Sequence, residues 1–71
     1  MTTLSNQDKL TIVNQHLKSI DYSIYNIDLD LLEAGADSQT SAETVTLLNA
    51  RKTALNAKRA VLETEAASLT E

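Results

Sequence analysis

Apolar residues recur along the chain with alternating spacings of three and four positions. Such a pattern draws one apolar line, here called the seam, along a helix, and that line must pack against another helix to leave water. In the second half the leucines at 48, 55, 62 and 69 recur every seven residues. We therefore predict an all-α fold, an antiparallel two-helix coiled-coil hairpin. Its seam consists of Leu10, Val13, Leu17, Ile20, Ile24, Ile27, Leu31, Val45, Leu48, Leu55 and Leu62.

The apolar pattern is interrupted once, around Gly35, the only glycine in a chain without proline. Glycine just past an apolar run is the usual left-handed residue that ends a helix. We predict a first helix over about 5–33, a turn over about 34–40 and a second helix over about 41–69. The whole chain, 1–71, then forms a single domain.

Two patterns predict where the helices begin. Ser5 with Asp8 resembles an N-cap pair, and Thr40 with Glu43 matches the capping box. One stretch, 20–31, is rich in β-branched and aromatic residues and would suit a strand in isolation. The seam runs straight through it without a turn signal, so we favour a helix there.

A hairpin that turns near residue 38 pairs positions whose numbers sum to about 76. Both apolar series then stay in register from a single loop, although two seam positions on the second helix, Lys52 and Arg59, are charged. Asp21, Asp28 and Asp30 are candidate partners for these cations. The predicted pairs are Leu31–Val45, Ile27–Leu48, Ile24–Lys52, Ile20–Leu55, Leu17–Arg59, Val13–Leu62 and Leu10–Ala66.

The first helix carries a second apolar line, Tyr22, Tyr25, Leu29 and Leu32. At 100° per residue it lies roughly 150° from the seam, so one partner helix cannot cover both. An exposed patch of this kind marks an interface. We expect these four residues to contact another chain, either a second copy in a helical bundle or a different partner protein. The alanines at 50, 54, 57 and 60 of the second helix would permit close approach.

Composition narrows the function classes. The chain has no cysteine and one histidine, so disulfides and a structural zinc site are not expected, and self-association is the remaining way to stabilise so small a domain. The net charge of −4 argues against nucleic-acid binding. No apolar run is long enough to span a bilayer, and the first residues lack a secretory signal pattern, so we expect no membrane association and a cytoplasmic protein.

Candidate chemistry is sparse. His16 is placed at the rim of the seam, and Asp28 and Asp30 point to different sides of a helix, so we predict no enzyme, no cofactor and no metal. Four cations crowd into nine positions of the second helix, and this basic cluster can contact an anion or an acidic partner or pair with acids of the chain. Its members are Arg51, Lys52, Lys58 and Arg59.

The chain has an S-x-x-x-K-L start, a YN within an Ile/Leu-rich helix, an acidic–apolar stretch before the turn and an alanine-rich second helix. In these features nearly the whole chain resembles short helical-hairpin proteins of marine cyanophages. It implies a phage origin and a virion component or a host-directed protein, in the host cytoplasm or the virion. No activity is assigned to that group, so no functional residue is carried over.

Three functions follow as hypotheses. The first is a non-catalytic, self-associating structural or assembly protein. The second is a module that docks a host or virion protein through the Tyr22–Leu32 line or the basic cluster. The third is an oligomeric sponge for a small anionic ligand.

Overall fold

A computed structural model describes residues 3–70 and shows two helices joined by a short loop. Helix α1 spans Asn6–Ala36 and helix α2 spans Ala42–Leu69. They pack side by side into a rod with extents of 55 × 22 × 15 Å, and residues 3–70 contain no strand. The predicted all-α hairpin is confirmed. The β-prone stretch 20–31 is helical throughout. Packing of its regularly spaced apolar residues against α2 outweighs the weaker local preference of its β-branched and aromatic residues for a strand.

Burial follows the seam on both helices. On α1 the core residues are Val13 and Ile27, each less than a tenth exposed, and burying such a side chain contributes about 1.5–3 kcal/mol. The other seam residues of α1 are half-buried. On α2 the half-buried positions follow the same spacing without a break: 45, 48, 52, 55, 59, 62, 66 and 69.

Ion pairs between the helices define the antiparallel register. Lys52 Nζ lies 2.6 Å from Asp28 Oδ1, and Arg59 Nε lies 2.8 Å from Asp21 Oδ1. Asp28 is one helical turn from Ile24, the residue that the predicted register places opposite Lys52. The acids thus flank the seam, while the lysine and arginine stems cross it.

Serine hydroxyls cap both helices. The Ser5 Oγ accepts a hydrogen bond from the Asp8 backbone N–H at 3.1 Å, as the sequence predicts. At the second helix the Thr40 prediction is wrong by one residue. Ser41 is the N-cap, and its Oγ accepts from the Thr44 N–H at 3.2 Å. Serine ranks above threonine as an N-cap residue, and the Ser41 hydroxyl accepts from the N–H three positions on.

The prediction for Gly35 is also wrong. Gly35 lies inside α1 without a positive φ, and the helix continues to Ala36. Asp37 organises the reversal instead. Its N–H donates to the Ala34 carbonyl, its Oδ1 accepts from the Gln39 N–H at 2.9 Å, and its carbonyl accepts from the Thr40 N–H at 3.1 Å. An aspartate that satisfies its neighbours' amides replaces the left-handed glycine.

Candidate interaction surface

The second apolar line of α1 faces solvent in the hairpin. Its four residues, Tyr22, Tyr25, Leu29 and Leu32, are here called the outer stripe of α1. Tyr22 and Tyr25 are 63% and 62% exposed, Leu32 is 70% exposed and Leu29 is 37% exposed. Because the seam turns the opposite side of α1 toward α2, the helix that covers the seam leaves the outer stripe bare.

Acidic residues border the outer stripe of α1. Asp21 and Asp28 lie on one flank and Glu33 lies on the other, while Asp30 lies further round the helix. Lys18 lies close to the tyrosines, with its Nζ 5.9 Å from the centroid of the Tyr22 ring. At this distance the ammonium group is within the range of a cation–π interaction. The surface is therefore apolar at its centre and mainly acidic at its edge.

Helix α2 carries an outer stripe of its own. Leu47, Ala50, Ala54, Ala57 and Val61 follow 3-4-3-4 spacing on the side away from its seam, and all five are exposed. Leu47 is 63% and Val61 69% exposed. Sequence reasoning recognised the three alanines but missed the leucine and the valine. Their spacing relative to the alanines was the signal that could have found them.

The basic cluster is divided between two environments. Lys52 and Arg59 occupy seam positions and bind acids: Lys52 binds Asp28, and Arg59 binds both Asp21 and Glu63. The hydrogen bond from the Arg59 guanidinium lowers the pKa of Asp21 below its ordinary value of 3.8, and the same bond raises the pKa of Arg59. Both of these cations thus form ion pairs with acids of the same hairpin.

Arg51 and Lys58 point to a different surface and form no ion pair with any residue in 3–70. They line an open groove between the helices, made of two adjoining depressions of about 720 and 400 Å³ that share Ser23, Leu55 and Lys58. His16 lines the larger depression. His16 and Lys58 thus line the same depression, whereas Lys52 and Arg59 form ion pairs with acids outside it.

Little in this arrangement resembles a catalytic or metal centre. Within residues 3–70, no three His, Cys, Asp or Glu side chains gather closely enough to hold a metal ion. No helix in the same range is long and apolar enough to cross a membrane. The exposed carboxylates either bind cations of α2 or face solvent.

Comparison with known proteins supplies no relative. The chain matches no protein-family model, no curated protein and no solved structure. Functional inference consequently depends on the two outer stripes and the charges beside them.

Proposed function

We propose that the chain is a non-catalytic, self-associating structural or assembly protein, of the small virion-associated or accessory kind. The observation that carries the proposal is the exposure of the outer stripe of α1. Two tyrosines and two leucines in one continuous line are an apolar patch of the kind that marks protein–protein contacts. Tyrosine suits such a place, because its ring is large and apolar while its hydroxyl can stay at a wet rim.

The energetics of a small hairpin support the same proposal. Only Val13 and Ile27 are buried among residues 3–70, and a domain of this size obtains only about 3–5 kcal/mol from its own core. Association adds stability by mass action, because a partner that binds only the folded chain draws the equilibrium toward it. Covering the outer stripe of α1 would bury further apolar area and so add to the small stability that the seam provides.

Sedimentation or light scattering over a wide concentration range tests the proposal. We expect the wild-type chain to show a mass above the 7.7 kDa of one chain, increasing from low micromolar to near-millimolar concentration. The double variant Tyr25→Glu with Leu29→Glu should remain helical by circular dichroism and sediment as one chain. Gln7→Glu with Asn14→Glu is the matched control, since it adds the same charge at exposed positions away from both stripes. A folded wild-type monomer at every concentration would refute self-association.

Docking to a host or virion protein is a second function that the same exposed stripe supports. It predicts a wild-type monomer that captures its partner, with capture lost in the Tyr25→Glu, Leu29→Glu variant and kept in the Gln7→Glu, Asn14→Glu control. Sedimentation of the purified chain therefore separates the two functions before any partner is sought.

Binding of a small anionic ligand is the third function. Its support is reduced to Arg51 and Lys58, because the other two members of the basic cluster are neutralised by acids. Calorimetry with a panel of nucleotides tests it. No heat with any of them, at concentrations up to millimolar, would remove this function.

A further inference from the structure

The most exposed large apolar residues of the hairpin lie along its outer edges, although Val61 also borders the groove between the helices. One broad face is formed by polar residues beside the seam: Asn14, Asp21, Asp28, Asn49, Asn56 and Glu63. The other carries His16, Ser23, Asp30, Thr44, Arg51 and Lys58. A face-to-face bundle of two hairpins would bury these groups and pay for their dehydration. Contact between outer edges buries the two outer stripes instead.

Charge distinguishes the three possible edge contacts. Two α1 edges placed together would oppose acid with acid, since Asp21, Asp28 and Glu33 flank the outer stripe of α1. Two α2 edges would bring Arg51 and Lys58, which lie between a broad face and the outer stripe of α2, close to their own copies.

An α1 edge against an α2 edge places the acids of α1 beside these cations. Glu43 and Glu65 lie near the two ends of the α2 edge, but its middle carries only positive charge, so this contact is the most complementary of the three.

Side-chain size favours the same contact. The outer stripe of α1 consists of large residues, whereas the middle of the outer stripe of α2 consists of Ala50, Ala54 and Ala57. Small residues let the backbone of a neighbouring helix approach closely, and tyrosine rings can then lie over the alanine methyl groups. Leu47 and Val61, at the two ends of the stripe, add apolar area where the alanines stop.

We infer that the outer stripe of α1 in one copy packs against the outer stripe of α2 in the next copy. This inference rests on the proposed self-association and names the surface that completes it. The contact is heterologous, because different surfaces of the two copies meet. Each added copy therefore leaves one outer stripe of each kind unused, and growth ends only if the copies close into a ring.

Two blocked variants test the inference. Tyr25→Glu with Leu29→Glu removes the α1 edge and keeps the α2 edge. Ala54→Glu with Ala57→Glu removes the α2 edge and keeps the α1 edge. We expect each variant alone to sediment as a single chain of 7.7 kDa, and their equimolar mixture to form a 1:1 complex of twice that mass. The complex cannot grow further, because its two remaining edges are both blocked.

The other outcomes are equally decisive. If the wild-type chain assembles and the Ala54→Glu, Ala57→Glu variant assembles equally well, α2 edges are not used, so the inference fails while self-association stands. If both variants are monomeric and their mixture forms no complex, the inference also fails. A monomeric wild-type chain overturns both proposals together. Circular dichroism verifies that each variant is folded, and the Gln7→Glu, Asn14→Glu control should assemble like the wild type.

Discussion

The seam and the outer stripe of α1 are two apolar lines on one helix with the same spacing and opposite environments. On the seam Val13 and Ile27 are less than a tenth exposed, whereas Tyr22, Tyr25 and Leu32 on the outer stripe are more than six-tenths exposed. The difference comes from α2, which covers only the side that the loop turns toward it. Apolar spacing therefore shows which faces of a helix are apolar, but not whether the same chain covers them.

The largest expected effect on stability comes from truncating a seam side chain to alanine, compared with the same truncation on the outer stripe of α1. Ile27→Ala should lower the free energy of unfolding by about 2–5 kcal/mol, because it leaves a cavity at one of the two buried positions. Leu32→Ala should change it by less than about 0.5 kcal/mol, because Leu32 is exposed in the single hairpin. Urea denaturation in the Tyr25→Glu, Leu29→Glu background measures both without a contribution from association. Equal losses would show that the two lines are not different in the isolated chain.

A second variant makes the seam more apolar. Lys52→Leu should raise the free energy of unfolding by about 1 kcal/mol, because leucine packs at a half-buried seam position and Asp28 remains accessible to water. Lys58→Leu is the control outside the seam and should have little effect on the unfolding of the same blocked background. A loss of stability in Lys52→Leu would mean that the ion pair contributes more than the added packing.

Gly35 lies beyond the last residue of both lines, near the end of the helix that carries them. Gly35→Ala should raise stability by about 0.4–1 kcal/mol, because the position is helical and an added Cβ would meet no atom within 4 Å. Thermal unfolding followed by circular dichroism measures the change, and Ala36→Gly should produce a loss of similar size. A destabilising Gly35→Ala would support a left-handed glycine instead.

The smallest expected effect concerns Asp21, which lies between the two lines. Its pKa is lower in the folded chain than the ordinary 3.8, so its ion pair stabilises the fold above that pH and stops doing so as pH falls through the folded-state pKa. Asp21→Asn should therefore be slightly less stable than wild type near neutral pH and equally stable in strong acid. Urea midpoints measured across this range test it, with Asp30→Asn as the control. If the stability curves of wild type and Asp21→Asn stayed parallel at all pH values, the ion pair would not be the cause of the lowered pKa of Asp21.

The sequence was sufficient to predict the helices and the seam, because a 3-4 spacing leaves little freedom about which side of a helix is covered. It was less informative about helix ends. Gly35 and Thr40 each satisfied a general rule, but Asp37 organises the reversal and Ser41 caps the second helix at neighbouring positions. Rules for caps act over one or two residues, and several candidates in a polar loop compete on nearly equal terms.

The exposed apolar stripes were predicted in part. The outer stripe of α1 follows from sequence because its residues are large, while that of α2 is mostly alanine and has a weak apolar signal. The division of the basic cluster between two environments could be seen only in the folded structure. Arg51 and Lys52 are adjacent in sequence, yet 100° of helix rotation places one in the groove and the other on the seam.

The ion pairs of Arg59 and Lys52 help to fix the register of the two helices. A slip of seven residues preserves an apolar line that repeats every seven residues, since each leucine or isoleucine finds an equivalent neighbour after the slip. The ion pairs are not preserved. A slip in one direction would place Asn14 near Arg59 and keep a carboxylate, Asp21, near Lys52. A slip in the other direction would place Gly35 near Lys52 and keep Asp28 near Arg59, so either slip loses one of the two ion pairs. The charges thus distinguish the native register from slipped registers that the apolar repeat alone would accept.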